Sequence, residues 1–184
     1  MDNQIEKISS DSEEIYTSIR SYVITAQNRV YSAVNSAMVI AYWEIGEQIY
    51  KACGENDRAE YGKNLLKYIS DRLTAEFGKG YTVRNLRAMR QFYCSYPIRH
   101  TLCAELSWSH YRVLMRITDK DARDFYTEEC KKSMWSVRQL ERQINTMYYQ
   151  RLLSSKDKSS VEAEIQKFPE KQSRRETIAA VKVY

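Results

Sequence analysis

The chain has 184 residues, enough to bury one sizeable core and carry tails. Its 43% hydrophobic and 29% charged residues exclude a disordered chain, and 5 Gly and 2 Pro favour long helices over many-stranded sheets. The formal charge is +5, and the most apolar stretch, Ala37–Tyr42, is far too short to span a bilayer. With no signal-peptide pattern at the start, a cytoplasmic protein that does not enter a membrane is expected.

In chain order, Ile15, Ile19, Tyr22, Ala26, Val30, Ala33 and Ala37 recur at three- and four-residue steps. They predict a helical region from about Asp11 to Lys51, with a bend or break at Asn35-Ser36. From Ala37 to Ile45 this region is apolar nearly all round and should be buried. The stripe at Ile15–Val30 reads as core; the other reading is that it meets a second subunit. Gly54-Glu55-Asn56-Asp57 reads as a loop, and a second helix follows over about Arg58–Phe77, with Leu65, Leu66, Ile69 and Leu73 on one face. Gly78-Lys79-Gly80 stops it, and Thr82 starts a third helix that runs to about Tyr96 and is closed by Pro97. Helix, short glycine turn, helix is the outline of a helix-turn-helix.

At 100° per residue the third helix puts Leu86, Met89 and Tyr93 on one side and Arg84, Arg87, Ala88 and Gln91 on the other. After an irregular stretch from Pro97 to Leu106, Ser107 opens a short helix over Trp108–Ile117, and Thr118-Asp119 caps another with Ala122, Phe125, Tyr126 and Cys130 inward. Ser136 caps the last strong helix, to about Leu153, with an apolar stripe of Val137, Leu140, Ile144 and Met147 and an opposite face of Arg138, Arg142 and Asn145. Ser154–Ser160 is a polar linker, Val161–Phe168 a helical turn, and Glu170–Tyr184 a short basic tail expected to be poorly ordered. The expected organisation is an all-α, multi-helix domain over 1–158 and a linker or tail over 159–184.

One six-residue word occurs twice, as Tyr81-Thr82-Val83-Arg84-Asn85-Leu86 and as Trp135-Ser136-Val137-Arg138-Gln139-Leu140. Each copy pairs a capping hydroxyl with an arginine and an amide just inside a helix, residue types that bind phosphates and base edges. An aromatic ahead of the cap can staple the helix entrance to the core. Between Gly78 and Thr118 stand seven basic residues, Lys79, Arg84, Arg87, Arg90, Arg99, Arg112 and Arg116, against the single acid Glu105. That local excess of +6, interleaved with Tyr and Trp, is the composition of a polyanion-binding face. In the second copy Glu141 takes the place that Arg87 has in the first, which weakens its phosphate-facing argument and suggests a structural role.

Chemistry of other kinds is poorly supplied. Cys53, Cys94, Cys103 and Cys130 form no C-x-x-C pair and have no His at zinc-ligand spacing, so free thiols are expected. His100 and His110 are the two histidines. No catalytic residue, metal or cofactor is expected.

Five motifs follow one another in order: Tyr42-Trp43-Glu44-Ile45-Gly46, Glu60-Tyr61-Gly62-Lys63, Leu73–Leu86 with its Gly78-Lys79-Gly80 turn, Leu106-Ser107-Trp108-Ser109-His110-Tyr111, and Trp135–Leu140. Over about Ile15–Lys158 the chain thereby resembles the N-terminal domain of the bacterial YhcG-type proteins, a domain of unknown function usually fused to a C-terminal PD-(D/E)XK nuclease domain. The resemblance implies an all-helical module that binds DNA and delivers a nuclease. A PD-(D/E)XK site needs an acid and a following acid-x-Lys on adjacent strands to hold Mg²⁺ and activate water. The acid-x-Lys triplet Glu129-Cys130-Lys131 lies within an expected helix and has no upstream Pro-Asp, so the nuclease domain is expected to be missing from this chain.

The leading expectation is a non-catalytic nucleic-acid-binding module, with DNA as the first candidate over RNA. Arg84, Arg87 and Gln91 are assigned to bases, and Asn85, Arg90 and Lys79 to phosphates. Ser107, Ser109, His110 and Arg112, with Arg138 and Arg142, are assigned to further backbone contacts. The alternative is a helical oligomerisation or partner-recruitment domain that pairs through the helix at Ile15–Val30 and touches no nucleic acid.

Overall fold

The computed structural model describes the backbone of residues 2–53, 60–97 and 106–155, and the side chains of residues 11–53, 61–97 and 106–155. The Gly54–Asp57 loop, the irregular stretch at 98–105 with Arg99, His100, Cys103 and Glu105, most of the linker, the Val161–Phe168 turn, the basic tail and the 158/159 boundary lie outside the described residues. The described chain is built of helices, without a strand, and divides into two compact units, Met1–Thr118 and Asp119–Tyr184.

The first unit is organised on α1 (Asp2–Cys53), a 52-residue helix that runs unbroken through Asn35-Ser36. The expected break is absent because neither residue is a strong helix breaker. Asn and Ser cost only a few tenths of a kcal/mol relative to Ala, and no Pro or Gly forces a stop there. The C-terminal half of α1 is core, with Val39, Trp43 and Ile49 buried. The stretch at 11–30 is not, and this corrects the core reading of the stripe. Residues 11–30 are exposed at every position, among them Ile15, Ile19, Tyr22 and Val30. The reason is length: at 1.5 Å per residue α1 is about 78 Å long, whereas α3 (Val83–Ser95), its main support, is about 20 Å.

Between them runs α2 (Glu60–Phe77), which ends where Gly78 takes φ 86° and donates its N–H to the Thr74 carbonyl at 3.0 Å. That left-handed turn is nearly free for glycine and costly for other residues. A single 3-10 turn, Lys79–Tyr81, then delivers Thr82 as the N-cap of α3, its hydroxyl accepting from Asn85 N–H at 3.4 Å. Leu86, Met89 and Phe92 are the buried face of α3, and Tyr93, expected inward, is only half-buried. α3 takes its principal support from α1 and a lesser share from α2.

The α1–α3 crossing is a backbone contact. A Cβ on Gly46 would collide with the Met89 carbonyl oxygen and stand 2.7 Å from its carbon and 3.2 Å from Arg90 N. One turn before Gly46, Trp43 Nε1 donates to the Tyr96 carbonyl at the C-terminal end of α3 (2.6 Å), and the Trp43 and Tyr50 rings both meet Tyr93. Short helix α4 (Trp108–Leu114) covers the assembly, with Phe92 within 5.4 Å of the Trp108 ring and 4.7 Å of the Tyr111 ring.

The second unit holds α5 (Lys120–Ser133), α6 (Val137–Asn145) and α7 (Tyr148–Ser154). The expected single helix from Ser136 to Leu153 is thus two, parted at Met147, which takes φ 53° and is exposed rather than part of an apolar stripe. Tyr126 supplies the reason. Its buried hydroxyl donates to the Gln143 carbonyl and accepts from Tyr149 N–H, each at 3.2 Å, so one phenol satisfies backbone groups on both sides of the break. Thr146 Oγ1 adds a second donor to the Gln143 carbonyl at 3.3 Å.

Gly46→Ala is expected to lower unfolding free energy by about 1–3 kcal/mol in denaturant titration, because the clash with backbone outweighs the helix propensity gained. Gly80→Ala, whose Cβ would meet nothing, is expected to stay within about 0.5 kcal/mol. Burial pushes the Tyr126 hydroxyl above its ordinary pKa of 10.0. The folded state therefore holds this proton more tightly than the unfolded chain, so its contribution is complete below pH 10 and is lost as pH rises further. Tyr42 acts in the same sense through its own burial. Tyr126→Phe should therefore weaken the alkaline decline without abolishing it, and cost about 1–2 kcal/mol at neutral pH.

Candidate nucleic-acid interface

Both copies of the repeated word fold as helix entrances. Thr82 caps α3, and Ser136 caps α6 with a reciprocal box in which Ser136 Oγ accepts from Gln139 N–H (3.3 Å) and Gln139 Oε1 accepts from Ser136 N–H (2.7 Å). The aromatic of the first copy, Tyr81, packs on the core cluster of Ile49, Leu66, Leu86 and Met89; that of the second, Trp135, is buried against Tyr148. The amides of the two words each brace a helix entrance. Gln139 closes the box, and Asn85 Nδ2 donates to the Gly80 carbonyl at 3.0 Å, bracing the turn before α3.

What differs between the copies is what stands beside them. Along α3, Arg84, Arg87, Ala88 and Gln91 form one wall of a cavity of about 290 Å³; Arg112, Met115 and Arg116, on α4 and the turn after it, form the other. Four guanidinium-bearing side chains thus share one groove, and among the described residues no acid lines it. Arg84, Arg87 and Arg116 are exposed and Arg112 is half-buried, above a floor that includes buried Met115. The walls are fastened by Gln91, whose Nε2 donates to the Met115 carbonyl at 3.2 Å. That bond uses one of the two amide N–H donors of Gln91. His110 also builds scaffold: its Nδ1 accepts from Ser107 N–H at 3.2 Å and lies 2.8 Å from the Ser107 hydroxyl, at the start of α4.

Of the residues singled out from the sequence, Arg84, Arg87, Gln91 and Arg112 come together here. Lys79 is exposed on the 3-10 turn, while Asn85 and Arg90 are half-buried on α3 outside the groove lining. Arg138 and Arg142 lie on α6, in the second unit, the first exposed and the second half-buried. Arg116 belongs to the groove and was not assigned to it. The signal was present, because Arg112 and Arg116 are four residues apart and share a side if the turn after Trp108 stays helical.

A larger groove of about 840 Å³ lies between α1 and α2, lined by Ala41, Ile45, Ile49, Leu65, Ile69 and Leu73 with Glu44, Glu47 and Gln48 at α1. Among the described residues no cluster of three or more His, Cys, Asp or Glu could hold a metal ion, and no helix is long and apolar enough to cross a membrane. The triplet Glu129-Cys130-Lys131 is on α5, with Glu129 4.0 Å from Lys132 Nζ and Cys130 buried.

Residues 18–151 match the DUF1016 N-terminal domain. The chain is 32% identical over 194 aligned residues to "Putative nuclease YhcG" of Escherichia coli strain K12, an alignment that covers 88% of this chain and 52% of that protein. The chain thus spans about half the length of the curated relative it matches. No solved structure matches it.

If Gln91 fastens the groove, Gln91→Ala should cost about 0.5–1.5 kcal/mol in thermal or denaturant unfolding. Arg84→Ala and Arg87→Ala, at exposed positions, should each stay within about 0.5 kcal/mol.

Proposed function

The chain belongs to the DUF1016 N-terminal domain family, and on that footing we propose that it binds nucleic acid through the four-arginine groove between α3 and α4. The observation that carries this reading is the convergence of Arg84, Arg87, Arg112 and Arg116 from two separate helical segments on one concave surface that no acid lines among the described residues. Each guanidinium offers a planar fork of donors that matches phosphate oxygens, and four in one cavity suit a sugar-phosphate backbone with its regular charge spacing. The N-terminal end of α3 adds the positive end of a helix dipole at Arg84.

The concave shape refines the helix-turn-helix expectation. A recognition helix enters the major groove by standing proud of its support, whereas α3 shares its arginine face with the α4 wall. Backbone capture by the groove is the primary contact in this proposal, with the exposed Arg84 and Arg87 placed to reach base edges beyond the phosphates. Duplex DNA is the first partner to test, in keeping with a relative whose name is that of a nuclease. The chemistry of cleavage is assigned outside this chain, since Glu129-Cys130-Lys131 lies on a helix rather than on the paired strands that an acid-x-Lys metal site needs.

The test is a salt titration of binding to duplex DNA, single-stranded DNA and RNA. Binding to duplex should weaken steeply with salt, each neutralised phosphate contributing about 0.9 to the slope of log K against log salt. Arg84→Ala combined with Arg87→Ala should weaken binding about tenfold or more at low salt and flatten the slope by about 1–2. Unchanged affinity in this double variant would remove the groove from the proposal, and preference for a single strand or RNA would replace duplex DNA as the partner.

A further inference from the structure

The exposed arm of α1 carries a second kind of surface. Eight large apolar side chains between Ile15 and Val34 are exposed there; Ile15, Ile19, Tyr22 and Val30 share one stripe, Tyr16, Val23 and Val34 flank it, and a paired stripe of this length approaches the roughly 800 Å² that one partner contributes to a standard interface. The stripe at its centre has an unusual property. Ile15, Ile19, Tyr22, Ala26, Val30, Ala33 and Ala37 follow at steps of four, three, four, four, three and four, so the spacing reads the same in both directions about Ala26. The underlying eleven-residue period is 3.67 residues per turn, which keeps the stripe almost straight along the helix.

We infer that two copies of this chain pair through this arm as an antiparallel helix dimer with its two-fold axis at Ala26. In that register Ile15 faces the partner's Ala37, Ile19 the partner's Ala33, and Tyr22 the partner's Val30, while Ala26 faces its own copy. The outer layers thus set a large side chain against a small one, which fills each layer evenly and lets the helices approach. A parallel pair would stack Tyr22 on Tyr22 and leave gaps at each alanine layer. The interface is isologous, so it closes at two copies.

A further feature fits. At 100° per residue the stripe lies on the far side of α1 from Val39 and Gly46, so the second copy approaches away from the α3 crossing. A membrane surface is the poorer occupant, because the polar side of the arm carries Glu13 and Glu14 as well as Arg20 and Arg29 instead of a lysine-rich face. Gly46 is 20 residues from Ala26, so the dimer would set the two α1–α3 crossings about 60 Å apart on one rod.

The test uses the full 184-residue chain freed of nucleic acid, and so stands apart from the groove proposal. Light scattering or sedimentation should give twice 21.8 kDa at tens of micromolar, and Ile19→Asp with Tyr22→Asp should give a monomer that keeps the cooperative unfolding transition of the core. Under mild oxidation Ala26→Cys should cross-link to itself above the wild-type background set by the native cysteines. Ile15→Cys should do so only when mixed with Ala37→Cys. A monomeric wild type, a higher oligomer, or self-cross-linking of Ile15→Cys as efficient as that of Ala26→Cys would overturn the proposal. So would a monomer captured by anionic vesicles through the arm.

Discussion

The approach of α3 to α1 at Gly46 is the constraint on which the first unit depends. A glycine inside a long helix costs about 1 kcal/mol of helix propensity, and here it is matched by a backbone-to-backbone crossing against Met89 that no other residue permits. Close approach has a consequence for everything on α3. Once Met89 is pressed against α1, Leu86 and Phe92 are carried into the core on the same face, and the rotation of the helix is fixed. With the rotation fixed, Arg84 and Arg87 can only point away from α1. The Trp43 hydrogen bond to the Tyr96 carbonyl then fixes the far end of α3, so the helix is held at its middle and at its terminus.

The groove follows from that placement. Phe92 is the hinge between core and site, since its ring touches both Trp108 and Tyr111 and so seats α4 beside α3. The Gln91 amide, one residue earlier on the same helix, then reaches the Met115 carbonyl and holds the second wall at hydrogen-bond distance. The four arginines are therefore mounted on a scaffold of aromatic packing and one polar tie, around a groove that no acid lines among the described residues.

Parts of this were legible in the sequence for local reasons. The hydroxyl caps at Thr82 and Ser136 are local in chain and in space, and both are made as the residue types demand. Gly78 stops α2 through its own backbone freedom. Three features were not legible. The break at Met147 depends on Tyr126, a residue seventeen positions before the carbonyl it satisfies, and no local pattern announces it. The tie from Gln91 to the Met115 carbonyl joins residues 24 positions apart, and no local pattern announces it. The apolar stripe of α1 reads as core because amphipathicity reports that a face wants cover, while only the length of the neighbouring helices decides whether this chain supplies it.

By itself, then, the sequence determined that the protein is all-α, where most of its helices begin, and that its positive charge gathers between Gly78 and Thr118. These are consequences of propensity, capping and composition, which act over a few residues. Only the tertiary structure decided which arginines share a cavity, that Arg116 joins them, and that residues 11–30 of the longest helix are left uncovered. Those outcomes turn on contacts between segments far apart in the chain, above all on how closely α3 can lie against Gly46, and such distances are set by packing in three dimensions.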